Sequence, residues 1–340
     1  MRILKNTYLK EYILKMWTKT NLTRLAIFLS FLYLVPLFFL PESIVGVRGE
    51  DVFFHTSKLF FLSTSAAITT TIVLIFVVKR EYVRNQILTM RRFKYLLYFF
   101  VKRDFLSRYR KSILGVFWSL LNPLLTMLVM TLIFSSLFKV QIPNFPVYLL
   151  SGQILFNFFS EATNLAMGSV IAGEGIIKKV YVPKYIFPLS KVISALVNLM
   201  FSTTAFLIIY FVTSTDYQWT LILIVIPMLY TFVFALGLAL LLSSLAVFFR
   251  DLSYLYGVLL TIFMYFTPIF YPVSILPDYL VPIIGLNPLY HYIDYFRSLA
   301  LEGVIPGVWE NMVCIGFALA SFCCGLYVFI SQQDKHILYL

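Results

Sequence analysis

The sequence predicts an all-α, polytopic membrane protein, and three observations carry that expectation. Of its 340 residues, 61% are hydrophobic and 12% charged, with a mean hydropathy of +0.89. A soluble globular domain has about 45–50% apolar and about 25% charged residues, so too few charged groups remain here to cover a water-facing surface. The charges are also gathered into a few segments, with long apolar stretches between them. Finally, of the 27 Lys and Arg, all but Arg48, Lys58, Lys139 and Arg297 fall on one side of a simple alternating topology, as the positive-inside rule requires.

A helix needs about 20 mostly apolar residues to cross the hydrocarbon core. Eight stretches are candidates: a short one at 25–40, then 59–78, 113–138, 147–172, 192–215, 217–249, 252–276 and 311–333. All must be helical, because an open strand would leave backbone groups unpaired in lipid. The basic clusters lie before the first span, after the second and after the fourth, with Arg250 after the sixth and Lys335 after the eighth. Both termini are therefore expected in the cytoplasm. The basic region before the first span is about 24 residues long and no small-residue cleavage site follows Pro41, so it reads as retained and not as a signal peptide.

Between the last two spans, Pro268, Pro272, Pro277, Pro282, Pro288 and Pro306 forbid an uninterrupted helix of spanning length. Residues 279–300 are nevertheless apolar and aromatic. Short helices that re-enter the outer leaflet fit both facts, with an ordinary structured outer loop as the alternative.

Composition excludes several kinds of chemistry. Cys314, Cys323 and Cys324 share one apolar stretch and read as helix fillers, with neither zinc-ligand nor disulfide-scaffold spacing. The net charge of +12 sits beside apolar runs, where the expected partner is anionic membrane lipid and not nucleic acid. No GxxxxGK[ST] loop is present, and His55, His291 and His336 lack metal-ligand spacing. No metal site or catalytic centre is expected in this chain. Glu161 is the one ionisable group well inside a span, with Asn157, Ser160, Thr163 and Asn164 nearby at helical spacings. Such a group either lines a polar pathway or fixes helix packing as a hydrogen-bonded acid.

Residues 91–112 are too polar to span and too apolar for a free linker. Tyr98, Phe105, Leu106, Tyr109 and Ile113 share one helical face, Arg103 and Arg110 an adjoining edge, and Asp104 with Arg108 forms an i, i+4 pair, while Lys102 interrupts the apolar face. This describes a helix lying in the cytoplasmic interface.

The stretch RDFLSRYRKSILGVFWSLLNPLL at 103–125 resembles the entry signature of ABC-2 type permeases that export polysaccharides. FFSEATNLAMGSVIAGEGIIKKVYVPKYIFPLS at 158–190 is similar to that family's second span and following loop, and NPLYHYIDYFRSLALEG at 287–303 resembles its outer re-entrant region. The resemblance covers roughly 90–340. It implies a transmembrane domain at 91–340, with a six-span core, an interfacial helix at 91–112 and outer re-entrant helices. Residues 1–90 depart from it by adding two N-terminal spans.

The resemblance further implies a half-transporter in the plasma (inner) membrane. Two copies of the chain would form the conduit, and two separate ATP-binding cassette subunits, which hold the ATP and Mg, would dock on the cytoplasmic side. The loop from Gly173 to Lys184 then matches the coupling element, with Glu174, Ile176, Ile177, Lys178, Lys179 and Tyr181 as contacts, and the FRDL turn adds Arg250 and Asp251. Ile176 and Ile177 are expected to be an exposed apolar pair suited to an ATPase groove.

With 35 Phe and 23 Tyr, many aromatics face lipid, but sugar rings also stack on aromatic faces. Phe134, Phe138, Phe156, Phe159, Tyr265 and Phe266, together with Glu161, are the candidate glycan conduit. Arg103, Arg108 and Lys111 are the candidate gate for the diphosphate of a lipid-linked glycan. The function expected is outward export of lipid-linked polysaccharide, such as O-antigen, capsule or teichoic acid. The alternatives are export of drugs or simple lipids, or a polyprenyl-linked membrane glycosyltransferase or ligase.

Overall fold

The structure is a computed structural model that describes residues 91–339 apart from Lys111, 137–141, 215–216 and Asp278. The two N-terminal spans and the candidates Lys111 and Phe138 lie outside the described residues. The elements are α1 (Lys94–Tyr109), α2 (Trp118–Ser136), α3 (Phe145–Met167), α4 (Ile186–Thr213), α5 (Val225–Phe248), α6 (Leu252–Phe266), α7 (Pro288–Arg297) and α8 (Val308–Gln332). Short helical turns link them, and a last turn, His336–Tyr339, ends the described chain.

Among the described residues, four helical segments are long and apolar enough to cross a bilayer: Gly115–Phe134, Ile186–Thr213, Trp219–Phe248 and Val308–Gln332. The other two expected core spans differ from the expectation in instructive ways. The stretch at 147–172 breaks after Met167, and its main helix, α3, is 23 residues long but carries Gln153, Asn157, Glu161 and Asn164. Seventeen of its residues, Gln153 among them, are buried where it packs on α2, α4, α5 and α7, while Asn157, Glu161 and Asn164 lie along the strip that this packing leaves open. A helix with most of its perimeter against protein needs no continuous apolar surface. The stretch at 252–276 forms only the 15 residues of α6, about 22 Å at 1.5 Å per residue. Pro268 and Pro272 stop it there, since neither can donate to a continuing helix.

The proline-rich stretch does hold short helices, Val281–Ile284 and α7. Asn287 caps α7 by accepting from the Leu289 amide at 3.0 Å and donates to Thr267 Oγ1 at 2.7 Å. One face of α7 is buried through Leu289, Tyr292, Ile293 and Phe296. At its end Arg297 turns inward and is 7% exposed. Its guanidinium donates to the carbonyls of Pro268 (2.8 Å), Ile269 (3.1 Å) and Tyr148 (3.2 Å) and to Ser151 Oγ (3.2 Å), and lies 3.5 Å from the centre of the Tyr148 ring. Gly152 makes this possible, because a Cβ there would come within 3.0 Å of Arg297 Nη2.

The most extensive helix pair is α5 with α8. Their backbones touch at Gly237 and Gly325: a Cβ on Gly325 would sit 1.9 Å from the Gly237 carbonyl oxygen, and one on Gly237 would sit 2.3 Å from the Ser321 backbone. This is the small-residue route to close helix approach in membranes. Gly325→Ala is expected to destabilise the protein by about 3 kcal/mol, because backbone cannot yield as a side chain can. A tryptophan-fluorescence melt of solubilised protein checks this, with Gly257→Ala, where nothing lies within 4 Å of the added Cβ, as the unaffected control.

Candidate functional site

A cavity of about 560 Å³ opens where the C-terminal end of α1 meets α2, α3 and α4. Each helix contributes polar residues at one-turn spacing on an otherwise apolar segment: Ser119 and Asn122 on α2, Asn157, Ser160, Glu161 and Asn164 on α3, and Asn198 and Ser202 on α4. Arg108 and Tyr109 close its α1 side, and Trp118 forms a wall. Glu161 Oε1 is 2.5 Å from Arg108 Nη2 and accepts from Asn198 Nδ2 at 2.7 Å. The Tyr109 hydroxyl donates to Asn198 Oδ1 at 3.2 Å and also meets Ser119 Oγ. Thr163, expected beside Glu161, instead lies on the buried side of α3 and accepts from the Tyr256 hydroxyl at 2.6 Å.

These contacts revise the reading of α1. The expected Asp104–Arg108 pair is replaced by two pairs to neighbouring helices. Arg108 reaches α3 at Glu161, and Asp104 accepts from Lys191 of α4 at 2.7 Å. The expected aromatic face also divides. Phe105 stacks on Phe201 and Tyr109 turns into the cleft, whereas Tyr98, Leu106 and Ile113 point outward. Phe100, absent from the expected face, is the buried anchor and packs on Phe187. The cause is that α1 is clasped by the bundle on its charged edge as well as its apolar one. Arg103 is exposed, 3.5 Å from Asp104 and over the Phe100 ring.

A second cavity of about 470 Å³ shares Asn122 and Asn157 with the first and continues along α2, α3 and α6. Its lining includes Phe134, Phe156, Tyr265, Met264 and Phe270, with Phe134 stacked on Phe270 at 5.7 Å. The sequence candidates Phe134, Phe156 and Tyr265 therefore share one wall. Phe159 sits in the core on Phe234, and Phe266 lines neither cavity. Trp118, Asn122, Asn198 and Ser202 are site residues the sequence reading did not single out. Their signal was available as Asn and Ser one helical turn from another polar or indole group within apolar runs.

The turn from Gly173 to Lys184 contains the helix Glu174–Ile177, with Lys178 paired to Glu174 at 2.6 Å. Gly173 lies against the Phe187 ring, where a Cβ would come within 2.6 Å. The exposed apolar groups are Val180 and Tyr181, at 59% and 90%. Ile177 instead packs on Val170, Leu240, Val247 and Phe329, and Ile176 is half-buried, which corrects the expected exposed pair. Lys179, Arg250 and Asp251 are exposed. Lys184 donates to the Gln333 carbonyl, which ties this turn to the C-terminal tail. In that tail His336 is fully buried, with Nε2 3.0 Å from Ser244 Oγ. Burial, then the nearby Lys184 charge, pushes its pKa down to about 4, with Asp334 opposing.

Helices of membrane-crossing length, with polar groups collected on one flank at the depth of apolar spans, define a membrane-embedded transport subunit. The chain belongs to the ABC-2 type transporter family, whose model matches residues 95–301. Similar proteins include an O-antigen export system permease protein RfbA of Myxococcus xanthus, 27% identical across 72% of this chain and 95% of the relative. One from Klebsiella pneumoniae is 33% identical across 62% of this chain and 82% of its own length. The polysialic acid transport protein KpsM of Escherichia coli is 24% identical across 68% of this chain and 91% of the relative.

Two outcomes are expected from this geometry. Glu161→Gln should speed amide hydrogen exchange across α1 by about two- to fivefold, since a pair whose side chains are 39% and 27% exposed contributes at most about 1 kcal/mol. The reversed pair Arg108→Glu with Glu161→Arg should restore protection. The tail should be fully docked above pH 6.5 and loosen as pH falls toward 4. The released His336 binds a proton there that the docked, neutral one excludes. Exchange of the 334–339 amides across that window reads the effect, and His336→Phe should flatten it.

Proposed function

We propose that this chain is the permease subunit of an ATP-driven exporter that moves lipid-linked polysaccharide, of the O-antigen or capsule type, outward across the plasma (inner) membrane. The observation that carries the reading is the pair of adjoining cavities. A polar cleft beside α1 passes through Asn122 and Asn157 into an aromatic wall on α2, α3 and α6. A chain of sugar rings needs both hydroxyl partners and flat apolar faces along its path, and the relatives' names point to the same class of cargo. Teichoic acid is a further cargo of the same chemistry.

In this reading the functional unit is a homodimer with a six-span core in each copy and both termini in the cytoplasm. The groove flank, where α6 exposes Tyr254, Leu255, Val258 and Ile262, faces the second copy. Two ATP-binding cassette subunits supply ATP and Mg and dock on the turn at 173–184 and on Arg250 and Asp251. Val180 and Tyr181 are the apolar contacts best exposed for that docking. Arg103 and Lys111 meet the diphosphate of the carrier lipid, and Arg108 joins them once it leaves Glu161.

Deleting the gene tests the reading. Lipid-linked polysaccharide should accumulate inside the cell while surface polysaccharide is lost, and the tagged chain should co-purify with an ATPase bearing a Walker motif. Unchanged surface glycan with altered drug or lipid efflux would move the assignment to the drug or simple-lipid alternative. Loss of the glycan bond itself, with no ATPase recovered, would indicate a glycosyltransferase or ligase.

A further inference from the structure

The cleft beside α1 holds more polar groups than the protein satisfies. Asn122, Asn157 and Asn164 are exposed to the cleft and their side-chain amides make no hydrogen bond among the described residues, nor do the hydroxyls of Ser160 and Ser202. Amides on apolar helices are costly against lipid, and here they open instead on a cleft where a polar partner can meet them. Structural duty does not explain them, because the packing bonds of this region run through other atoms: Glu161, Asn198, Tyr109 and Ser119.

The chemistry of these groups is specific. An amide offers donors and an acceptor side by side, as does a hydroxyl, so an amide cluster suits a partner that is itself both donor and acceptor. Among the described lining residues formal charge is balanced: Arg108 and Glu161 are the charged ones, and they neutralise each other at 2.5 Å. Among the described lining residues, Arg108 is therefore not free for an anion while it is paired with Glu161. The Trp118 indole, 46% exposed, adds a large flat face that accepts the C–H side of a ring. A volume of about 560 Å³ lies in the range of about 300–1,000 Å³ usual for small-molecule sites.

We propose that this cleft is a subsite for one uncharged sugar unit of the glycan, with Asn122, Asn157 and Asn164 bonding its hydroxyls and Trp118 stacking on its ring. The proposal rests on the polysaccharide reading and adds where, and by which groups, a single unit is held. Its place next to Arg108 puts that unit beside the α1 gate, before the aromatic wall.

The double variant Asn157→Leu with Asn164→Leu separates binding from packing. Removing unpaired amides from a bilayer helix should leave the melting temperature unchanged or higher, while surface polysaccharide falls about tenfold. A lower melting temperature, or wild-type export, would overturn the subsite. A second measurement places p-benzoylphenylalanine at Asn122 or, separately, at Tyr265, and irradiates intact cells. A glycan-bearing adduct at Asn122 is the expected result. Cross-linking of Asn122 to a second copy of this chain would assign the amides to a contact between copies and overturn the proposal. Glycan adducts at Tyr265 alone would overturn the subsite and leave polysaccharide export standing, whereas none at either position would overturn both.

Discussion

Arg297 is the group on which the α6–α7 end of this bundle depends. A helix ended by proline leaves carbonyls with no amide to bond, and in an apolar setting each would cost free energy. The guanidinium has five donors in a rigid fork, and here it serves Pro268 and Ile269 just beyond α6, Tyr148 near the start of α3, and Ser151. One buried cation thus joins three segments that share no regular hydrogen bonding. The Tyr148 ring under the charge and the tight approach at Gly152 complete its cage. The break after α6 is in turn what allows the aromatic wall, since Ile269 and Phe270 line the second cavity only because the chain leaves the helix there.

The same logic of unpaired groups runs through the centre. α3 is polar along one face and apolar elsewhere, and the polar face opens on the cleft while the rest of the helix packs against protein. Glu161 is held from two sides, by Arg108 and by Asn198. Its carboxylate therefore serves as a packing group and as a cleft wall at once. The two roles that the sequence left open are not exclusive.

Much of the helical layout was legible in the sequence, because it follows from local quantities: runs of apolar residues, prolines and the placement of Lys and Arg. Among the described residues four segments of spanning length overlap the expected stretches, two of them starting earlier, at Ile186 and Val308, and α6 ends where Pro268 enters. The family resemblance was legible for a different reason, since short blocks keep their order along the chain and the family match covers 95–301. What could not be read was which neighbour a residue meets. Asp104 and Arg108 are spaced to pair with each other, yet both turn to other helices, because Lys191 and Glu161 are brought within reach only by the fold. Ile177 looked like a docking surface for the same reason. Its cover comes from Leu240, Val247 and Phe329, distant in sequence. The amide cleft was half visible: α3 displays its polar spacing in sequence, while Asn122 and Asn198 join it only in three dimensions.

The glycine crossing of α5 and α8 gives the molecule an uneven stiffness. Two long helices whose backbones touch cannot slide or roll past one another without a collision, so they move as one body. α6, by contrast, lies lightly on α3 and α5, and among the described residues α1 is fastened chiefly by two ion pairs, two ring contacts and a few polar contacts. Any work done on the bundle is therefore absorbed at its compliant edge. That edge borders both cavities, so among the described elements the bore of the groove is the dimension that yields most easily to force.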